Sequence, residues 1–483
     1  MPSKEQIAES VFAEVLSTSL SEQKRQDIRI NYRAGRYEQV FPASSGFVPP
    51  LLVGRGEQIA QLSTLIDGVC RHNQGGSSVL GIVVHGPRGT GKTALLSALQ
   101  HRLDHTKLMQ TISLDGDHGL ASVERFIGSL SDYMEKRQQE TRQSHSETSG
   151  GVSAGVLKGG ARHGRHTSLI STQLPQDKSI QSAIRSVQRR SDHKPLLILV
   201  DEAHGADPAV LGEFMNTVQT MAAGQKQPVG FVLAGTPDTL DVLRDSACKA
   251  TWFRDRGQEK RFAPMPNDLS VEDCQQAIVK TLEAAGVTIE GDGLADMLAR
   301  CKGSPYFLQV LGESALQWAS RHGDTAMFTI GGEIDQAFEK VMQDRYQTVW
   351  ADVESKNLSG CARQLGCLWR QMEKVGQQVN PQLIKVAIKS GLANAPYQDE
   401  GRLSFVEAHM HFKHLGLLWS ITGYDSGPWS LGLPSFFDYV EAKFHEPMNM
   451  AHHAALPTLQ ADMNALFKQI GWDDLDVPTD LAR

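Results

Sequence analysis

The sequence predicts an α/β fold: a mostly parallel sheet flanked by helices, followed by a small helical domain and then a mixed module. Apolar runs near residues 80–84, 107–114, 196–200 and 230–235 alternate with segments of helical period, the pattern of parallel strands joined by crossover helices. From about residue 267 to 346 only the helical period remains, with pairs such as Leu294/Leu298 and Leu308/Leu311 marking core faces. Residues 347–445 give three helices and then a β-rich stretch, GLLWSITGYDSGPWSLGLPSFFDYV.

Taken in order, residues 1–45 read as a helix, with Ile7, Val11, Phe12 and Val15 at helical spacing, and then a polar connector. Residues 46–266 form the α/β core. Within it, residues 138–168 are rich in Gly, Ser, His and Arg, basic on balance, and read as a flexible insertion in which GVSAGVLKGG can form a small hairpin. Residues 267–346 are the helical domain, 347–445 the mixed module and 446–483 a tail.

Composition sets outer bounds. The 483 residues are 40% apolar and 21% charged, ordinary for a globular chain, and the net charge is −7. A constitutive nucleic-acid coat protein is usually basic, so any such contact here is local or conditional. Cys70, Cys248, Cys274, Cys301, Cys361 and Cys367 are scattered without a C-x-x-C, which argues against a zinc site or a disulfide framework and fits a reducing compartment. The N-terminus lacks the apolar core of a signal peptide, and no apolar run reaches membrane-spanning length. The expectation is a cytoplasmic protein without a membrane contact.

Gly86-Pro87-Arg88-Gly89-Thr90-Gly91-Lys92-Thr93 matches G-x-x-x-x-G-K-[ST] in the required context, after a buried strand and opening a helix. Glycines let the backbone curl so that several N–H groups face one anion, and the helix N-terminus at Lys92, Thr93 and Ala94 faces the same charge. Lys92 is expected on the β- and γ-phosphates of ATP and the Thr93 hydroxyl on Mg²⁺. The run LLILV ends in Asp201-Glu202, which places both acids at the C-terminal edge of a central strand. Asp201 is expected to hold Mg²⁺ through water, and Glu202 to polarise the attacking water. Strand GFVLAG ends in Thr236, a candidate contact to the γ-phosphate or the water; capping of the next helix is the plain alternative.

Asp201-Glu202-Ala203-His204 also spells a helicase box. A helicase needs a second motor lobe with its own arginine motif; nothing after residue 240 matches one, and residues 275–346 are too helical to be one. The chain instead resembles AAA+ ATPases, in particular their origin-recognition-like and STAND-like branches. The two Walker motifs carry the resemblance with VGRGEQIAQL (53–62), LAGTPDTLDVL (233–243) and CKGSPYFLQVLG (301–312). It implies a P-loop core, a helical lid and a winged helix, with Val53, Gly54 and Arg55 framing adenine and Thr236 as the first sensor. Where many origin-recognition relatives carry an arginine at the start of the lid helix, this chain has Gly303-Ser304-Pro305, closer to the STAND-like form in which the proline fills that role.

The resemblance further implies a homo-oligomer in which one subunit lends an arginine to its neighbour's site. WFRDRGQEKRF (252–262) offers Arg256 first, Arg254 second, and Arg261. In the winged helix, SFVEAHMHFKHLG takes the recognition-helix position, with Lys413, His409, His411 and His414, after Arg402. Basic and acidic residues balance over 351–445, weak equipment for phosphate contact, so double-stranded DNA and a protein effector both stay open as partners. Trp419, Tyr424 and Trp429 read as core, with base stacking the alternative. Three functions stay open: a nucleotide-driven assembly factor acting on DNA; a STAND-like signalling switch, for example in phage defence, that oligomerises and recruits an effector; and a non-enzymatic nucleotide-binding scaffold, which an intact Glu202 disfavours.

Overall fold

The computed structural model describes residues 20–43, 48–71, 81–106, 109–149, 179–190, 194–249, 262–266, 269–289, 292–375, 381–393, 403–420, 429–433, 436–437 and 439–440. Five strands, β1 (Gly81–His85), β2 (Gln110–Asp115), β3 (Leu196–Asp201), β4 (Val229–Gly235) and β5 (Phe262–Pro264), form one sheet in the order β2-β3-β4-β1-β5. Every neighbouring pair is parallel. Burial on both faces explains why these strands read as continuous apolar runs rather than alternating ones. Strand β4 lies between β1 and β3, the extra strand that the chain's resemblance to AAA+ proteins implies.

Helices cover both faces. On one, α2 (Gly56–Cys70) and α3 (Lys92–Thr106) place Leu62, Leu65, Leu95 and Leu99 against Ile82, Val84, Leu197 and Leu199. On the other, α5 (Val123–Ser149), α6 (Ile180–Arg190) and α7 (Pro208–Gln219) pack Phe126, Ile184 and Phe214 against Val83, Ile198 and Phe231. Two short helices, α4 (Gly116–Gly119) and α8 (Thr239–Arg244), follow β2 and β4 at the C-terminal edge of the sheet.

The helical domain consists of α9 (Val271–Ala285), α10 (Gly293–Cys301), α11 (Pro305–Ala319) and α12 (Glu333–Ser355), with a two-residue pairing of β6 (Thr288–Ile289) and β7 (Thr325–Ala326). Ser270 and Ser304 cap α9 and α11, and Pro305 takes the first turn of α11, where its missing N–H costs nothing. Next come α13 (Ser359–Val375), α14 (Pro381–Ala393) and α15 (Phe405–His414), then the antiparallel ribbon β8 (Leu418–Ser420) and β9 (Trp429–Leu431). Ser404 and Glu407 close a capping box on α15. Three helices and a ribbon are the elements of a winged helix, the name used for this module below. One core cluster runs through lid and winged helix, with Tyr346 and Trp350 of α12 against Phe436.

Three sequence expectations are corrected here. The connector before residue 45 contains a helix, α1 (Glu22–Arg33), capped by Ser21. Its only buried residues are Ile28 and Tyr32, too few to register as periodicity, yet it packs on α9, and the Tyr32 hydroxyl donates to Asp324 at 2.7 Å. The expected insertion at 138–168 begins inside a helix, since α5 continues to Ser149; its polar composition hid the continuation. The division expected after residue 346 falls within α12, which joins lid to winged helix without a break. The N-terminal helix at Ile7–Val15, the GVSAGVLKGG hairpin, Tyr424, Arg402 and the 446–483 tail lie outside the described residues. Among the described residues no helix is long and apolar enough to cross a membrane.

Candidate nucleotide site

A cavity of about 820 Å³ opens at the C-terminal edge of the sheet. Its floor is the Gly-rich loop and the start of α3, from Arg88 to Ala94. Gly89 and Gly91 adopt φ of +86° and +90°, a region costly for other residues, which turns the loop's backbone inward. At Gly86 a Cβ would come 2.2 Å from the Met265 carbonyl oxygen, so β5 can approach only a glycine. Lys92 is 7% exposed, and its Nζ donates to the carbonyls of Gly86 at 2.8 Å and Pro87 at 2.7 Å. Burial pulls its pKa down to about 8, against the opposing attraction of Glu202 and Asp201. The charge is thus held near the two acids and at the root of the loop.

Asp201 ends β3 and accepts the Glu202 N–H at 3.0 Å. Glu202 sits at φ +50°, ψ +38°, a left-handed conformation uncommon outside glycine and found where surrounding structure enforces it. That turn leaves its carboxylate in the cavity, 3.3 Å from His204 Nδ1. The same imidazole nitrogen is 3.5 Å from the Thr236 backbone N. Thr236 lines the cavity, and its hydroxyl donates to Asp238 at 3.4 Å; Asp238, not Thr236, takes the cap position of α8. Thr93 lines the floor and Asp117 and Glu202 line the wall, while Asp201, which ends β3 one residue before Glu202, is not among the lining residues. That sparse oxygen set suits Mg²⁺, which keeps most of its waters and takes phosphate oxygens besides.

The walls come from the rest of the chain. Val53 lines the cavity, and Gly54 adopts φ +63°. Arg55 is buried and donates to the Thr90 carbonyl at 2.9 Å and the Pro266 carbonyl at 3.2 Å, so it braces the phosphate loop against the exit of β5 as well as bordering the cavity. Pro305 and Tyr306 face in from α11. Arg345 of α12 lies with its guanidinium 4.1 Å from the Tyr306 ring centre and one nitrogen 3.4 Å from the Arg88 carbonyl. The winged helix completes the enclosure with His414, Leu415, Gly416 and Leu433. Arg254, Arg256 and Arg261 lie outside the described residues.

Residues 51–232 match the AAA ATPase domain family. This part of the chain is an AAA ATPase domain. No curated protein matches the chain. Among solved structures, the Walker-type ATPase of Pyrococcus abyssi is similar at 14% identity and a TM-score of 0.50, over 81% of this chain and 96% of that one. At that identity the likeness concerns the fold. Cdc6p of Pyrobaculum aerophilum aligns at 12% identity and a TM-score of 0.40, over 83% of this chain and 97% of its own. The Aeropyrum pernix Orc1 protein, solved in complex with DNA, aligns at 14% and 0.38, over 84% and 96%.

Sequence reasoning did not single out Asp117, Arg345, Gln309 or Thr348, all of which line the AAA ATPase cavity. The β2 residue in register with Asp201 is Asp115; Asp117 lies two residues on, in α4, so the sheet-edge rule that selected Asp201 points only to its neighbourhood. Arg345 carried no local signal: it reaches the loop only because α12 crosses back over the start of α11.

Proposed function

We propose that this AAA ATPase is a nucleotide-driven switch: it binds Mg²⁺–ATP in the cavity, hydrolyses it, and assembles with copies of itself when ATP-loaded. Lys92 and the loop N–H groups hold the β- and γ-phosphates, and Thr93 and Asp201 hold the metal. Glu202, oriented by His204, accepts the proton of the attacking water, and Thr236 positions that water against the γ-phosphate. Arg256 of a neighbouring subunit, or Arg254, supplies transition-state charge, an effect worth about 10³–10⁵ in rate.

The observation that carries the switch reading is the placement of the winged helix. It walls the cavity, and the side chains at the end of α15 are engaged within the chain: His411 with Asp352 at 2.9 Å, Lys413 with Asp241 at 2.8 Å and His414 with Asp238 at 3.2 Å. A helix so occupied is restrained rather than presented to DNA, which favours the STAND-like signalling reading with a protein effector. The alternative, an assembly factor on double-stranded DNA, draws on the winged-helix shape and requires α15 to leave this position. Trp419 and Trp429 are 0% and 2% exposed, which favours core packing over base stacking for both.

ATPase rate and particle size, measured with ATP, with ADP and with added duplex DNA, test the reading on wild type and Glu202→Gln. The variant should bind ATP, stop turning over and accumulate in the large form. Particles of one size in every nucleotide state would remove the switch. Stimulation by DNA would select the assembly factor over the signalling protein.

A further inference from the structure

His204 Nδ1 has two neighbours that ask opposite things of it. It lies 3.3 Å from the Glu202 carboxylate, an acceptor, and 3.5 Å from the Thr236 backbone nitrogen, whose N–H is a donor. A neutral imidazole nitrogen carries either a hydrogen or a lone pair, so Nδ1 can donate to Glu202 or accept from Thr236 but cannot do both. Both separations exceed the usual distance of about 2.9–3.0 Å, so the nitrogen is committed to neither. The surroundings fix the ring and leave the carboxylate to move. Ala203–Gly205 form one tight turn, closed by the Gly205 N–H donating to the Glu202 carbonyl at 3.0 Å. A Cβ at Gly235 would meet the Thr239 hydroxyl and lie 3.2 Å from the backbone nitrogens of Ala203 and His204; glycine there lets the end of β4 close on the turn. The His204 side chain is 18% exposed and that of Glu202 47%, and both line the cavity.

We propose that His204 is a positioning residue that passes Nδ1 between Thr236 and Glu202, and so sets the base only after the γ-phosphate has engaged Thr236. The inference rests on the nucleotide reading of the cavity given above and deepens it. In the idle state Nδ1 accepts from the Thr236 N–H and the ring hydrogen sits on Nε2. The half-exposed Glu202 carboxylate then faces a lone pair rather than a donor, and nothing on the ring aims it. The Thr236 bond is at the outer limit of its kind, so a displacement of about half an ångström ends it. A γ-phosphate that takes the Thr236 hydroxyl draws on the same residue, and the hydroxyl's present partner, Asp238 at 3.4 Å, holds it as loosely. Nδ1 then carries the hydrogen and donates it to one carboxylate oxygen, which leaves the other for the attacking water. The exchange moves one proton from Nε2 to Nδ1 by way of water in the cavity and leaves the charge of the ring unchanged. ADP does not reach Thr236, and the base stays unset.

Turnover and ATP affinity of the full chain, compared across wild type, His204→Leu, His204→Asn and His204→Gln, test this. His204→Leu should lower kcat about ten- to a hundredfold, the cost of an unaimed base, and keep ATP affinity within about twofold, since His204 holds no phosphate. The amide of an asparagine side chain ends where the imidazole carries Nδ1 and can present either N–H or oxygen there. His204→Asn should therefore recover most of kcat, whereas His204→Gln, whose amide reaches toward the place of Nε2, should not. Spectra of nitrogen-labelled histidine read the tautomer directly, with the His204 signal identified by its loss in His204→Asn. Nδ1 should be bare with ADP and protonated with a non-hydrolysable ATP analogue. An unaltered kcat in His204→Leu would overturn the proposal while the nucleotide site stands. So would one Nδ1 state in both nucleotides, or equal recovery in the two amide variants. A loss of ATP affinity that matches the loss of kcat would make His204 a structural support and nothing more. If wild type binds no ATP, the nucleotide reading falls first and this one with it.

Discussion

The ammonium of Lys413 lies 2.8 Å from Asp241 Oδ2 and 2.9 Å from Oδ1, joining the end of the winged helix's α15 to α8 of the ATPase core. Lys413 is 8% exposed at its side chain, so water screens this pair less than a surface pair. One residue on, His414 meets Asp238, and Asp238 accepts from Thr236, the residue assigned to the γ-phosphate. These contacts link Thr236, the residue proposed for the γ-phosphate, to the end of α15 through Asp238. A Thr236 hydroxyl that turns toward phosphate releases its hold on Asp238, which weakens the side of α8 that holds α15.

Breaking the Lys413–Asp241 pair should therefore favour the undocked state. Charge-assisted hydrogen bonds of this kind are worth about 1.5–3 kcal/mol, so Lys413→Ala or Asp241→Asn should shift the docking equilibrium about ten- to a hundredfold. The expected readout is large particles at lower ATP concentration, followed by light scattering. The exchanged pair Lys413→Asp with Asp241→Lys should recover much of the wild-type threshold. Assembly thresholds that do not move in either single variant would detach this contact from the switch.

Arg345 gives a second prediction. Its guanidinium stacks on Tyr306, and no carboxylate partner for it occurs among the described residues, which leaves its charge available above the loop. Arg345→Ala should weaken ATP binding more than ADP binding, because ATP carries the additional negative charge of the γ-phosphate. A loss of about tenfold in ATP affinity with little change for ADP is expected, read by competition with a fluorescent nucleotide. Equal losses for both would mean that Arg345 only packs against Tyr306. Tyr306→Leu, which removes the stacking platform and keeps the charge, should have the smaller effect.

The pH profile of binding follows from Lys92. Burial lowers its pKa to about 8, so the free site is cationic below that pH and neutral above it. A bound triphosphate demands the cation and raises the pKa in the complex. Affinity for ATP should accordingly be flat below about pH 8 and fall above it, by up to about tenfold per unit, until the pKa of the complex is reached. Titration calorimetry in buffers of differing ionisation enthalpy should detect one proton taken up on binding above pH 8. Lys92→Met should bind weakly with no such limb; a limb that survives in that variant would belong to another group.

Much of this was legible in the sequence because it depends on local constraints. A curled glycine loop and a buried strand ending in two acids each need certain residues at fixed spacing, and Lys92, Asp201 and Glu202 are readable that way. Thr236 follows from the end of the next strand, whereas Val53 and Pro305 rest on the family resemblance alone. What stayed hidden is produced by tertiary placement. Arg345, Thr348 and His414 arrive on α12 and α15 after long stretches of ordinary helix, and no spacing rule connects them to the loop. Lys413 read as a candidate for phosphate contact because a lone lysine on a helix carries no mark of the aspartate, Asp241, that it will meet. Helix α1 was missed because two buried side chains suffice when the partner surface already exists.

Acid should loosen the molecule at the back of the same loop. His85 ends β1 immediately before Gly86, is fully buried, and lies edge-on to Trp419 of the winged helix at 5.7 Å. Burial, aided by the positive charge of Lys92, pulls its pKa from 6.5 to about 3. In the folded chain His85 is neutral throughout the range where the unfolded chain protonates it. Between about pH 6.5 and 3 the unfolded state binds one more proton, so His85 makes stability fall as pH falls, at up to about 1.4 kcal/mol per unit, and adds no slope above 6.5. His85→Leu, an apolar side chain of similar size, should remove that part of the slope: the variant's melting temperature should fall less between pH 7 and 5 than the wild type's. Because the ring contacts Trp419, tryptophan fluorescence should report the acid transition at the winged-helix face. Superimposable melting profiles for the two proteins across that interval would show that the imidazole is not the group that acid attacks.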